Sequence, residues 1–269
     1  MDLDSPSILD ERLLSCLAKE PPDIGVLWEI CSHFEWLNRE KTIDDIASWL
    51  GPADGLKILD CACGSGFPAI DLAARGYDVT SSDGSLLMLE HFRRNARREG
   101  MDIQPAHVRW DELSAHHGEA AFDVVMCRGC SLLYAGTWDD NRPPDRTMLT
   151  AAIREFVACV RPGGRLYVDV SSAESLESLE PQWTRRPGLT VGGHSIGLRE
   201  VVTNHPDRGI RIWRSWLDID GVTYEFERRS HYLPHDELVD LLADAGLVDI
   251  REEKMQSEHY EVFAGKRPD

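Results

Sequence analysis

Lys57-Ile-Leu-Asp-Cys-Ala-Cys-Gly-Ser-Gly-Phe67 begins as a short apolar run, Ile58-Leu59, and ends that run on a carboxylate, Asp60. Gly64 and Gly66 then turn the chain into an amphipathic segment, Ala69 to Arg75, and a second strand-like run, Tyr77 to Ser82, ends on Asp83. Strand, glycine-rich loop, helix, strand and closing acid is the order of a nucleoside-binding βαβ unit. The glycines matter because a side chain in that loop would hold a ligand off the backbone. An acid at the end of the second strand is placed to accept both hydroxyls of a ribose.

Two nucleosides compete for the unit. Gly64, Gly66 and Ala69 satisfy the dinucleotide pattern G-x-G-x-x-G/A, a weak signal alone. Asp60 would then face a pyrophosphate, whereas S-adenosylmethionine (SAM) carries an ammonium and a sulfonium and no phosphate. The acid therefore favours SAM over NAD.

The chain has 269 residues, enough for one α/β core with an insertion or for two domains. Hydrophobic residues make up 42% of it, sufficient for a large core. Its formal net charge of -18 disfavours nucleic-acid and anionic-membrane partners, which need basic surface. The charge serves solubility first and could also attract a cationic substrate. Seven cysteines without a ladder of spacings argue against a disulfide framework, and Cys61-x-Cys63 has no second pair at zinc-finger spacing, so no metal is expected. With no basic-then-apolar leader and no apolar run of membrane length, a cytoplasmic protein is expected, with homo-oligomerisation left open.

Four segments follow from patterning. Residues 1-52 read as a helical lid with a loose tail at 1-7, a helix over Ile8 to Lys19, and a second helical stretch from Ile24 to Leu50 broken near Asn38. This stretch is rich in aromatics: Trp28, Phe34, Trp36 and Trp49, with Phe34 and Trp49 expected to pack helices onto the sheet. Residues 53-173 are the nucleoside-binding core, with further strands at Ile103 to Val108, Ala121 to Met126 and Arg165 to Val170, and a helix from Asp145 to Val160. Residues 174-232 break the βα alternation; Ile210 to Leu217 and Val222 to Ser230 around Asp220-Gly221 read as a hairpin. Residues 233-269 supply a last helix, Pro234 to Ala245, and an antiparallel end to the sheet.

Over roughly residues 55 to 170 the chain resembles the class I SAM-dependent methyltransferases, most closely glycine N-methyltransferase and related small-molecule N-methyltransferases. The resemblance rests on Asp60-Cys-Ala-Cys-Gly-Ser-Gly66, Val79-Thr-Ser-Ser-Asp-Gly-Ser-Leu-Leu-Met-Leu89, Cys127-Arg-Gly-Cys-Ser131 and Val160-Arg-Pro-Gly-Gly164. It implies an α/β, Rossmann-like core: a mostly parallel seven-stranded sheet with an antiparallel last strand, a helical lid and an inserted antiparallel β region that builds the acceptor pocket. It places Ala62, Gly64 and Gly66 at the methionine end of SAM, Asp83 and Gly84 at the ribose, and Met88, Arg109 and Trp110 around the adenine. Arg128 puts backbone against the donor, and Gly129, Cys130 and the lid residue Trp28 meet the acceptor. Arg39, rather than Lys41, is expected on the SAM carboxylate because a guanidinium binds it bidentately. Met88 also reads as ordinary core.

Two departures bear on the acceptor. Cys130 stands where the family has Asn, and no Arg follows the fifth strand, where Ser171 or a neighbour takes the place of a carboxylate-binding guanidinium. Glycine is thus a poor acceptor for this chain. Tyr134 lies where an acceptor could meet it, or packs under the lid. Trp138, Trp213 and Trp216, with Asp139, Asp140 and Asp145, suggest a pocket for a small amine, cationic in water, although the acids also read as solvated and the tryptophans as sheet core. The expected reaction is N-methylation. O-methylation is the alternative, with His205, His231 or His235 as base, each of which also reads as a surface or packing residue. A non-catalytic binding module and an NAD-dependent oxidoreductase complete the readings.

Overall fold

The computed structural model describes residues 8–18, 21–35, 39–138 and 140–269. The expected loose tail, Trp36, the helix break near Asn38 and Asp139 lie outside them. Three helices open the described chain: α1 (Ile8–Leu17), α2 (Ile24–Glu35) and α3 (Arg39–Leu50).

The core then alternates β1 (Lys57–Asp60), α4 (Ala69–Ala74), β2 (Asp78–Asp83), α5 (Leu86–Arg98), β3 (Ala106–His107), α6 (Leu113–His117), β4 (Phe122–Cys127), α7 (Arg146–Cys159) and β5 (Val160–Val170). After the insertion come α9 (His235–Asp244), β11 (Val248–Glu253) and β12 (Glu261–Lys266). These strands form one seven-stranded sheet in the order β11-β12-β5-β4-β1-β2-β3. β12 runs antiparallel to both β5 and β11, and the other neighbouring pairs are parallel. This is the expected α/β architecture.

The central strands are short and apolar because both faces of a parallel sheet are covered. Leu59, Val125 and Val168 face α7 and α9, while Ile58, Val124 and Tyr167 face α3. Trp49 packs there edge-on to Tyr167 at 5.3 Å, as its sequence context suggests. β3 keeps only two residues of the expected run, since Pro105, with no N–H, stands just before it and β3 is the sheet's edge.

The insertion folds as a second, antiparallel sheet. It contains α8 (Ala173–Glu177), β6 (Gln182–Arg185), β7 (Leu189–Val191), β8 (His194–His205), β9 (Ile210–Ile219) and β10 (Val222–His231), ordered β10-β9-β8-β6 with β7 also on β8. The β9–β10 hairpin turns on Asp220 and Gly221, both at positive φ, which suits the right-handed twist of the strands. Phe34 belongs to this layer and not to the main sheet. With Leu13, Leu27 and Ile30 of α1 and α2 it packs against Ile196, Leu198 and Leu217 of the second sheet.

Among the described residues no helix is long and apolar enough to cross a membrane. Leu217 is fully buried between α1, α2 and the second sheet. Leu217→Ala is expected to cost about 2–5 kcal/mol in denaturant unfolding, because the facing helices cannot close the gap.

Candidate donor-binding and acceptor site

The cavity lies beyond the carboxyl ends of β1, β2 and β4, where the strand order reverses about β1. Its floor is the loop after β1, of which Ala62 and Gly64 line the space. Gly64 sits at φ +48°, a region that glycine enters without strain, and a Cβ there would touch Met88. Asp83 ends β2 and grips this loop: its carboxylate accepts the Gly64 N–H at 2.9 Å and the Ser85 N–H at 2.8 Å. A carboxylate so placed, at the end of a strand and on the cavity wall, presents acceptor oxygens to the space. Gly84, Met88, Arg109 and Trp110 also line this end, and the Trp110 indole N–H is fixed by the Cys61 carbonyl at 2.6 Å. A nucleoside with a short polar head fits this wall of backbone, carboxylates and an indole.

At the other end stand residues of the lid. Arg39, not Lys41, is on the wall; its guanidinium stacks on Phe67 at 4.0 Å and pairs with Asp71 at 3.2 Å. Trp28 lies over Gly129, so that a Cβ on Gly129 would meet the Trp28 ring at 3.2 Å. Trp138 stands edge-on to Trp28 at 5.9 Å and to Tyr134 at 5.2 Å. These three rings and Gly129 enclose the space beside the donor end.

Several expected residues are elsewhere. Asp60 lies behind the wall, with one oxygen on the Ala62 N–H at 3.2 Å and the other without a hydrogen-bond partner. Gly66 faces α4, where a Cβ would run into Ile70, so its role is tight packing of the loop on the helix. Cys130 is buried in the left-handed conformation with its sulfur 3.5 Å from Ser171 Oγ. Trp213 donates to Glu200 at 3.0 Å within the second sheet, and Trp216 stacks on Trp183 on that sheet's opposite face; neither reaches the cavity. Asp140 does line it, paired with Arg142, whereas Asp145 caps α7.

The three histidines are off the wall as well. His231 contacts the Ala135 carbonyl at 3.2 Å, and burial pushes its pKa down to about 4. His235 meets the Ser171 carbonyl and Glu261, and His205 pairs with Ile210 in the second sheet.

Beneath the cavity is a charged layer that patterning did not single out. Asp169, inside β5, accepts the N–H groups of Gly129 at 2.9 Å and Cys130 at 2.6 Å. Arg128 contributes more than backbone: its buried guanidinium forms a bidentate pair with Glu258, which also accepts the Tyr167 hydroxyl at 2.9 Å. Burial, with Asp83 and Asp169 nearby, lifts Asp60 to about 7; burial and Glu258 lift Asp169 likewise to about 7. An acid in the middle of the apolar run Leu166 to Val170 is the one sequence signal for this layer.

Residues 58–164 match the family model described as a methyltransferase domain. A glycine/sarcosine N-methyltransferase of Parasynechococcus marenigrum (strain WH8102) is 31% identical over 190 residues, 70% of this chain and 63% of that protein. The chain therefore spans less than two thirds of that relative. The glycine N-methyltransferase of Homo sapiens is 31% identical over 126 residues, 42% of this chain and 40% of that one. A SAM-dependent methyltransferase from Clostridium acetobutylicum ATCC 824 shares the fold at TM-score 0.69 and 15% identity, over 90% of this chain and 98% of that chain. Residues 58–164 thus carry a methyltransferase domain, in a chain similar in sequence and fold to SAM-dependent methyltransferases.

These similarities support SAM, and not NAD, as the cofactor. Two tests follow. Asp83→Ala should weaken SAM binding at least about tenfold, since charge-assisted bonds contribute about 1.5–3 kcal/mol each; unchanged affinity by calorimetry removes Asp83 from the site. The second concerns Asp60. A carboxyl held near 7 when folded and near the usual value when unfolded binds more protons in the native state between these limits. Its contribution to stability is therefore present at low pH and declines as pH rises from about 4 to about 7. Asp60→Asn should abolish that share, so the variant gains on the parent over this window in pH-resolved denaturation. A constant offset between the two would refute the raised pKa.

Proposed function

We propose that the chain transfers the methyl group of SAM to an amine nitrogen of a small acceptor that is cationic in water. The observation that carries this reading is the enclosure of Trp28, Tyr134 and Trp138 over Gly129, with no histidine on the cavity wall among the described residues. Aromatic faces hold organic cations by about 0.5–2 kcal/mol. Arg228 already lies 5.8 Å from the Trp138 ring, so the acceptor nitrogen is assigned to Trp28 and Tyr134. The N-methyltransferase relatives support nitrogen as the methylated atom. Glycine is not the proposed acceptor. Ser171 follows β5 and brings no guanidinium, and its polar groups face Cys130 and His235.

SAM supplies a methyl group already activated by its sulfonium. What remains for the chain is to hold the amine in line with that methyl and to shed water. A partly dry aromatic wall favours the neutral amine, which is the nucleophile. The proton then leaves with solvent, without a histidine on the wall among the described residues. Asp83 takes the ribose hydroxyls, Trp110 and Met88 the adenine, and Arg39 the methionine carboxylate; Tyr134 orients the acceptor. A cytoplasmic setting is supported by seven buried cysteines, none of them in a disulfide.

The test is a mass-spectrometric screen of amine-bearing small molecules with SAM, followed by NMR of the product. Methylation on nitrogen is expected, with turnover largely kept in His205→Ala and His235→Ala. An oxygen-methylated product whose formation collapses in either variant would overturn the proposal.

A further inference from the structure

The cavity is lined by four carboxylates among the described residues, and their positions divide the work. Asp83 and Asp111 stand at the nucleoside end, and Asp140 stands beside Arg142 after β4. Glu29 is the one that the lid contributes, from helix α2, and it is 8% exposed. The approach of two helices brings it there. Gly25 lies so close to His91 of α5 that a Cβ would sit 2.7 Å from the imidazole. One turn along each helix, Glu29 comes opposite Asn95. The Asn95 amide donates to the Ser65 carbonyl of the glycine loop at 2.8 Å and to Glu29 Oε1 at 3.4 Å. Glu29 is thus oriented one side chain away from the loop, on the same lid as Arg39.

The head of SAM's methionine moiety is a zwitterion, and bringing it into a cavity requires a partner for each charge. Arg39 offers the positive partner over Phe67. Asp60, the acid expected for the ammonium, is behind the wall. We propose that Glu29 binds the α-ammonium of SAM, so that the lid clamps both ends of the zwitterion, Glu29 on nitrogen and Arg39 on the carboxylate. The same carboxylate links donor binding to the packing of α2 on α5, because Asn95 contacts both loop and lid.

This inference rests on SAM as the donor, and three ligands separate the two. S-adenosylhomocysteine carries the whole head without the sulfonium charge. Its desamino analogue lacks only the ammonium, and 5′-methylthioadenosine lacks the head altogether. Calorimetry with Glu29→Gln, which keeps the shape and the Asn95 contact, is expected to show S-adenosylhomocysteine weakened by about tenfold or more, as for loss of a charge-assisted bond. The desamino analogue and 5′-methylthioadenosine should stay within about twofold of the parent, which also shows the variant to be folded. Unchanged binding of S-adenosylhomocysteine would overturn the assignment. So would an equal loss for all three, the signature of a merely structural residue. Failure of the parent chain to bind any of them would instead sink the donor reading itself.

Discussion

Three carboxylates at the ends of the central strands hold the site together by gripping backbone N–H groups. Asp60 at the end of β1 takes Ala62, Asp83 at the end of β2 takes Gly64 and Ser85, and Asp169 in β5 takes Gly129 and Cys130. A loop that must present bare backbone to a ligand cannot satisfy its own donors through regular pairing, and an unpaired buried donor is costly. These strand ends are anchored by pairing in the sheet. An acid on each one converts the rigidity of the sheet into fixed loops.

The arrangement places several acids in a dry layer with one guanidinium. Arg128 is committed to Glu258, while Asp60 and Asp169 are lifted toward neutrality by burial. Such a layer contributes little net stability, since the desolvation of each charge offsets its attractions. Its effect is to fix geometry, and a donor bearing positive charge is the natural complement to it.

The lid is not a free flap. α1 and α2 share a core with the second sheet, so the helix that carries Trp28 and Glu29 is anchored to the inserted layer on one side and to α5 on the other. The cavity is where main sheet, lid and insertion meet, and each contributes what the others lack. The main sheet brings backbone and acids, and the lid brings Arg39, Glu29 and Trp28. The loop after β4 adds Tyr134 and Trp138.

The sequence by itself determined the βα core, its glycine loop and the acid that closes β2, because these depend on local signals: apolar runs, glycines at fixed offsets and a carboxylate closing a strand. Through the family resemblance it also suggested one site for Arg39, Trp28 and Gly129, and in the fold these three and Tyr134 line one cavity. Only the tertiary structure decided which side of the wall each residue occupies. Asp60 and Gly66 sit in the right motif yet point into packing, and Trp213 and Trp216 sit in the right insertion yet on strands that face α1, α2 or solvent. Asp169, Glu258 and Glu29 escaped local reading because their partners are distant in the chain: Gly129, Arg128 and Asn95. A period or a motif tells which residue types alternate. Which of them meet is set by how the layers pack, and that information is nowhere local.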